Sequence, residues 1–163
     1  MNRRENMIKY VDCDIFDMNV DIIGHQVNLY GIMGGGIARE IKERFPDVYE
    51  EYREICLSES GLLGKMYLTY AYVDEDGESE LMIANLFGQD ESVGQRVLTN
   101  YSALASSLEF LHDWASMLDK KTIALPYGLG CGIAGGDWNI VSKIIEDEFG
   151  DDEEILCYIC RLV

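Results

Sequence analysis

Positive charge is what this sequence has least of. Thirteen lysines and arginines stand against 30 aspartates and glutamates, a formal charge of −17. Binding to a nucleic-acid backbone draws on Lys and Arg displacing counterions, so this balance argues against a general DNA- or RNA-binding role. An anionic small molecule would have to be held by main-chain amides and not by a basic pocket. No apolar run approaches the length of a membrane span, and the start Met1, Asn2, Arg3, Arg4, Glu5, Asn6 has no signal-peptide core. Together these predict a cytoplasmic protein with no membrane partner.

Histidine is nearly absent, at two residues, and the five cysteines at 13, 56, 131, 157 and 160 are odd in number and scattered. That distribution argues against a disulfide framework and for a reducing compartment. Cys157 and Cys160 have C-x-x-C spacing but lie in a β-like segment, where residues three apart point to opposite faces. No second pair or nearby histidine completes a zinc site, so neither a metal nor a cofactor is expected.

What is present is an ordinary globular composition, 48% hydrophobic and 26% charged over 163 residues. This fits a single domain spanning 1–163 with a full core. The acid collects in 43–59, 74–80 and 146–154, which read as solvated faces and loops.

The chain is organised around one stretch. An apolar strand candidate at 20–27 leads through His25 and Asn28 to Gly34, Gly35 and Gly36, and then to Ile37, Ala38, Ile41 and Phe45 at helical spacing. This is strand, glycine-rich turn, helix. Glycine lets a backbone approach a ligand closely, and the first amides of a helix have no internal partners, so such a turn suits phosphate. It has neither the Gly-Lys-Ser/Thr ending of a P-loop nor the spacing of a dinucleotide fingerprint. A purely structural turn is the alternative.

The same gesture occurs a second time. A strand at 122–125 leads into Pro126, Tyr127, Gly128, Leu129, Gly130, Cys131, Gly132, Ile133, Ala134, Gly135 and Gly136, before another helix pattern. Two such loops at the carboxyl ends of neighbouring strands can grip a diphosphate from both sides, the usual ligand position in an open α/β sheet.

Between and around them, 7–12 reads as a first strand. Pro46 stops one helix and opens another at N1. In that second helix Tyr49 and Tyr52 read as packing residues. Strands at 65–73 and 81–87 flank Asp76-Gly77, a hairpin signal. Leu98, Tyr101, Leu104, Leu108, Leu111, Ala115 and Leu118 mark a long amphipathic helix that also carries His112. Asp137 is placed as an N-cap with Trp138, Val141, Ile144, Ile145 and Phe149 on the buried stripe and Gly150 as C-cap, and 155–162 forms a last strand. Six strands with interleaved helices and one hairpin predict an α/β fold, a three-layer α/β/α sandwich with a mixed sheet.

The His25-Gln26-Val27-Asn28 stretch, Met33 to Ala38, the Tyr49/Tyr52 segment, Asn85 to Gln89 and the 126–138 loop together resemble a macrodomain. The nearest resemblance is to the small stand-alone branch that includes ADP-ribose-1″-phosphate phosphatases. It implies a six-stranded sheet in the order 1-6-5-2-4-3. It also implies a ligand that is ADP-ribose or a derivative, with adenine at Asp14 and Ile15 and the distal ribose by Asn28. The diphosphate would then lie between Gly34, Gly35, Gly36, Ile37 and Ala38 on one side and Tyr127, Gly128, Gly130, Cys131, Gly132 and Ile133 on the other. Asp14 follows Cys13 where the family usually has glycine, and its alternative is a turn cap.

His25 matches a histidine of the phosphatase branch, and an imidazole there can serve as acid, base or nucleophile, or be structural. Asn28 offers a donor and an acceptor to ribose hydroxyls. Asp90, in the loop after the fourth strand, is the candidate base or water-orienting group, with a solvated loop carboxylate as its alternative. Cys131 lacks the arginine six residues on that a cysteine phosphatase needs, because Asp137 stands there. The lysine and aspartate of macrodomains that cleave ADP-ribose from glutamate or DNA bases are replaced by the 87–89 stretch and Ala134. The resemblance implies, as the first reading, a phosphatase acting on ADP-ribose-1″-phosphate. The alternatives are a non-catalytic binder of ADP-ribose or a related NAD-derived nucleotide, and a hydrolase of acyl or ADP-ribosyl esters. Oligomeric state is left open.

Overall fold

A computed structural model describes residues 5–91 and 96–163. Alternating and continuous apolar runs give the strands β1 (Ile8–Asp12), β2 (Ile22–Val27), β3 (Met66–Val73), β4 (Glu80–Phe87), β5 (Thr122–Pro126) and β6 (Leu156–Arg161). The helices are α1 (Gly36–Arg44), α2 (Pro46–Ser58), α3 (Tyr101–Met117) and α4 (Trp138–Phe149). The six strands form one sheet in the order β1-β6-β5-β2-β4-β3, as the resemblance implied. All neighbours are parallel except β3 and β4, the hairpin signalled by Asp76-Gly77.

The pleat sends alternate side chains to opposite layers. On one side Ile22, Leu86, Leu125 and Cys157 pack with Leu104, Leu108 and Leu111 of α3 and with Val141, Ile145 and Phe149 of α4. On the other, Ile23, Val27, Ile83, Phe87 and Cys160 pack with Ile41 of α1 and with Val48 and Tyr52 of α2. Cys157 and Cys160 thus face opposite layers, as their spacing in a strand requires. Pro46 opens α2 at N1, and Asp137 caps α4 by accepting from the Asn139 amide at 2.9 Å.

Two expectations shift. The long helix starts at Tyr101, with Asn100 as its cap; Leu98 precedes it, giving its amide to Ala134 O at 2.8 Å. Gly150 does cap α4, but with φ −61° and ψ −34°, so its backbone is right-handed and its freedom is unused. A Cβ there would stand 2.7 Å from Glu146 O, so it is close packing that favours glycine. Among the described residues no helix is long and apolar enough to cross a membrane.

Candidate functional site

The two glycine loops follow adjacent strands. β2 and β5 pair only through Ile22↔Ile123 and Ile23↔Ala124, and beyond that register their ends part. There, at the carboxyl edge of the sheet, a cleft of about 380 Å³ opens. It is lined by 25–28, Ile32, 34–38, Gln89, Glu91, 126–130 and 132–134. Among the described residues no lysine or arginine lines it.

The first wall is built by the start of α1. Gly35 is an N-cap without a side chain to give, and Gly36 has φ +57°, a left-handed value suited to glycine. The amides of Ile37 and Ala38, in the first turn, have no acceptor within the helix. The second wall is a chain of tight turns: Cys131 N donates to Gly128 O at 2.8 Å, Gly135 N to Gly132 O at 3.0 Å and Gly136 N to Gly130 O at 2.9 Å. The Cys131 amide therefore points inward and is unavailable to a ligand, whereas those of Gly130, Gly132 and Ile133 donate to no described acceptor. The walls nearly meet, since a Cβ on Gly35 would lie 3.2 Å from Ile133 Cδ1.

His25 and Asn85 occupy paired positions on β2 and β4, and His25 Nε2 lies 2.7 Å from Asn85 Oδ1. His25 is 2% exposed, and burial pushes its pKa down to about 4 against the opposing Asn85 bond. The ring is thus neutral near pH 7. With Nε2 donating to Asn85, Nδ1 is the basic nitrogen, buried and without a partner among the described residues. An imidazole in this state can accept a proton but has none to donate to a leaving group near neutrality.

Asn28 is engaged with its own loop. Oδ1 accepts from Tyr30 N at 3.0 Å and from the Tyr52 hydroxyl at 2.7 Å, and Nδ2 donates to Ile32 O at 2.9 Å. One Nδ2 proton remains for a ligand. Tyr52, fully buried, also reaches Asn28 O at 2.8 Å; it packs, as expected, and in addition ties α2 to the end of β2.

Four candidates stand outside the cleft lining. Asp14 caps a short 3₁₀ turn, Ile15–Asp17, by accepting from Phe16 N at 2.9 Å, and Ile15 is buried in the core beneath it. Asp90 is half-buried, its amide bonded to Leu98 O at 2.9 Å, while its neighbours Gln89 and Glu91 face the cleft, joined by a 2.6 Å bond. Cys131 is turned to the α3–α4 core, and burial and the charge of Asp137 push its thiol pKa up, which disfavours a thiolate nucleophile. Tyr127 does line the cleft, its ring 4.7 Å from that of Trp138 and covered by the Arg161 guanidinium at 5.2 Å.

Sequence reasoning gave no role to Asn85, Gln26, Gln89 or Glu91. The signal for Asn85 was available: a fully buried amide inside the apolar run of β4 needs a partner.

An α/β/α sandwich with a crevice at the carboxyl ends of its parallel strands, walled by two loops of exposed amides, defines a class of small-ligand binding domain. Within that class the chain belongs to the Macro domain family, whose model matches residues 25–145. It is similar to a DNA ADP-ribosyl transferase–DNA ADP-ribosyl glycohydrolase fusion protein of Thermosipho africanus. The two are 29% identical over 147 residues, which is 85% of this chain but only 38% of the fusion protein's length. It is also similar to the ADP-ribose 1″-phosphate phosphatase of Candida albicans, at 26% identity over 86% of this chain and 93% of that protein. Among solved structures, the macrodomain of Mycobacterium tuberculosis DarG superposes with a TM-score of 0.81 at 23% identity, covering 97% of this chain and 99% of that one.

Proposed function

We propose that the cleft binds ADP-ribose and its derivatives, with the diphosphate between the two glycine loops, and that the protein removes the terminal phosphate of ADP-ribose-1″-phosphate. The observation that carries the binding reading is the pair of facing amide walls on neighbouring strands, in a cleft that no described lysine or arginine lines. Main-chain N–H groups and a helix N-terminus are the anion donors left to such a site. The choice of ligand is supported by the ADP-ribosyl chemistry in the names of both relatives. The phosphomonoester reading is supported by the Candida phosphatase, which this chain matches over nearly its whole length.

In this reading adenine lies toward the Asp14 side of the cleft and the distal ribose toward Asn28, whose remaining Nδ2 proton can donate to a hydroxyl. His25, neutral and deep at the end of β2, is the proton-accepting group nearest the expected terminal phosphate. The carboxylate proposed to orient water is Asp90, in the loop whose neighbouring residues Gln89 and Glu91 line the cleft.

A second reading, binding without turnover, is favoured by a different observation. Two of the side chains expected to do chemistry are tied within the protein, His25 through Nε2 to Asn85 and Asn28 to Tyr52, Tyr30 and Ile32. Single-turnover phosphate release from ADP-ribose-1″-phosphate separates the two, with wild type and His25→Ala side by side. Release by wild type that falls in the mutant is the result expected of the phosphatase. Tight ADP-ribose binding with no release from wild type would favour the binder.

A further inference from the structure

We propose that Gln26 is a positioning residue for the second glycine loop, acting through Thr99 on the Gly130 carbonyl; the inference rests on the reading of the cleft given above. Thr99 carries a single hydroxyl proton, and that hydroxyl donates to Gly130 O at 2.6 Å. Toward Gln26 it can then only accept, so the group 2.9 Å away is the Gln26 Nε2 donor. This orientation turns Gln26 Oε1 onto two glycines. A Cβ at Gly88 would stand 2.5 Å from Oε1, and one at Gly130 would stand 3.0 Å from it. Oε1 is buried with no hydrogen-bond partner among the described residues, so the amide is held by its nitrogen and by packing.

The consequence falls on the cleft wall. Gly130 O accepts from both Thr99 Oγ1 and Gly136 N, at 2.6 and 2.9 Å, so both its lone pairs are used and the Gly130–Cys131 peptide plane is fixed. The N–H of that peptide is the one turned inward to Gly128. With the plane pinned, the amides of Gly130 and Gly132 on either side are the ones left unpaired at the cleft. Thr99 is itself anchored, its amide and that of Leu98 converging on Ala134 O at 3.2 and 2.8 Å, and the Asn100 amide on Gly88 O at 2.7 Å. Gln26 thus links β2, which carries the first loop, to the segment that sets the second.

Three substitutions test this with little change of volume. Gln26→Glu has no proton for Thr99 when ionised, so the hydroxyl must turn toward it and release Gly130 O. Thr99→Val removes the hydroxyl, and Thr99→Ser keeps it. In calorimetric titration with ADP-ribose, Gln26→Glu and Thr99→Val bind about tenfold more weakly and Thr99→Ser within roughly twofold of wild type. In the ligand-free proteins, the Gly130 and Gly132 amide resonances move in the first two variants and stay in place in Thr99→Ser, a pattern that general destabilisation does not produce. Wild-type affinity in both Gln26→Glu and Thr99→Val would overturn the inference while leaving the cleft reading intact. If wild type bound no ADP-ribose, that reading would fall, and unchanged Gly130 and Gly132 resonances in Gln26→Glu would independently overturn this inference.

Discussion

His25 Nε2 and Asn85 Oδ1 stand 2.7 Å apart on adjacent parallel strands, in a pairing that buries both side chains beneath the α1–α2 layer. Burial depresses the His25 pKa to about 4, below the ordinary value near 6.5 that it regains on unfolding. The folded state therefore takes up fewer protons than the unfolded chain between those values, and stability falls as pH drops from about 6.5 toward 4, by on the order of 3 kcal/mol. Denaturant unfolding across that range, in wild type and His25→Gln, measures it. The variant is expected to lose most of this acid slope.

His112 has the opposite sign. Its Nδ1 and Nε2 lie 2.8 and 2.5 Å from Glu148 and Asp152, joining α3 to the end of α4. Burial works against the charged ring, but the bonds and charges of the two carboxylates outweigh it and raise the pKa. The stabilisation is fully present below the unfolded pKa near 6.5 and is lost as pH rises through the higher folded value. Thermal unfolding of His112→Gln from pH 5 to 9 should show a deficit at the acid end that closes toward the alkaline end. A deficit independent of pH would mean that only the packing of His112 on Phe149 matters.

Tyr52→Phe removes the hydroxyl whose single proton is shared between Asn28 O and Oδ1 and leaves the ring against Phe87. A loss of about 1 kcal/mol is expected, because Oδ1 keeps its Tyr30 amide and the buried ring is unchanged. Chemical denaturation gives the magnitude. Faster amide exchange at Tyr30 and Ile32 would locate it in the first loop.

The glycines of the second loop differ sharply in what a methyl group would meet. At Gly136 a Cβ would stand 2.6 Å from Gly130 O, a backbone atom, whereas at Gly132 nothing lies within 4 Å. Gly136→Ala should destabilise by about 1–3 kcal/mol and displace the Gly130 carbonyl. Gly132→Ala should melt close to wild type, and equal melting of the two variants would refute the packing.

The elements that were legible in the sequence are those specified locally. Apolar runs at 20–27 and 122–125 gave β2 and β5, Asp76-Gly77 gave the hairpin, and Asp137 and Pro46 gave helix starts. Leu98 misled because its apolar character serves an extended segment bonded to Ala134, and periodicity cannot tell that from a first helical turn. The strand order came from family resemblance, since pairing between residues as much as 149 apart, Ile8 and Cys157, leaves no local trace. The partners of the candidate site residues were hidden for the same reason. His25 meets Asn85 only through the β2–β4 register, and Asn28 meets Tyr52 only once α2 folds back over β2. Asp14, read first as an adenine contact with a turn cap as its alternative, does form the cap, which was legible because an Asx turn is local.

The central claim is that backbone amides of two facing loops hold a diphosphate. An amide-resolved titration with ADP-ribose tests it most directly. Saturable shifts concentrated at Gly35 to Ala38 and at Gly130, Gly132 and Ile133, with the inward-facing Cys131 amide moving less, are the expected result. No saturable shift in either loop, or shifts confined to a different face of the sheet, would contradict the account.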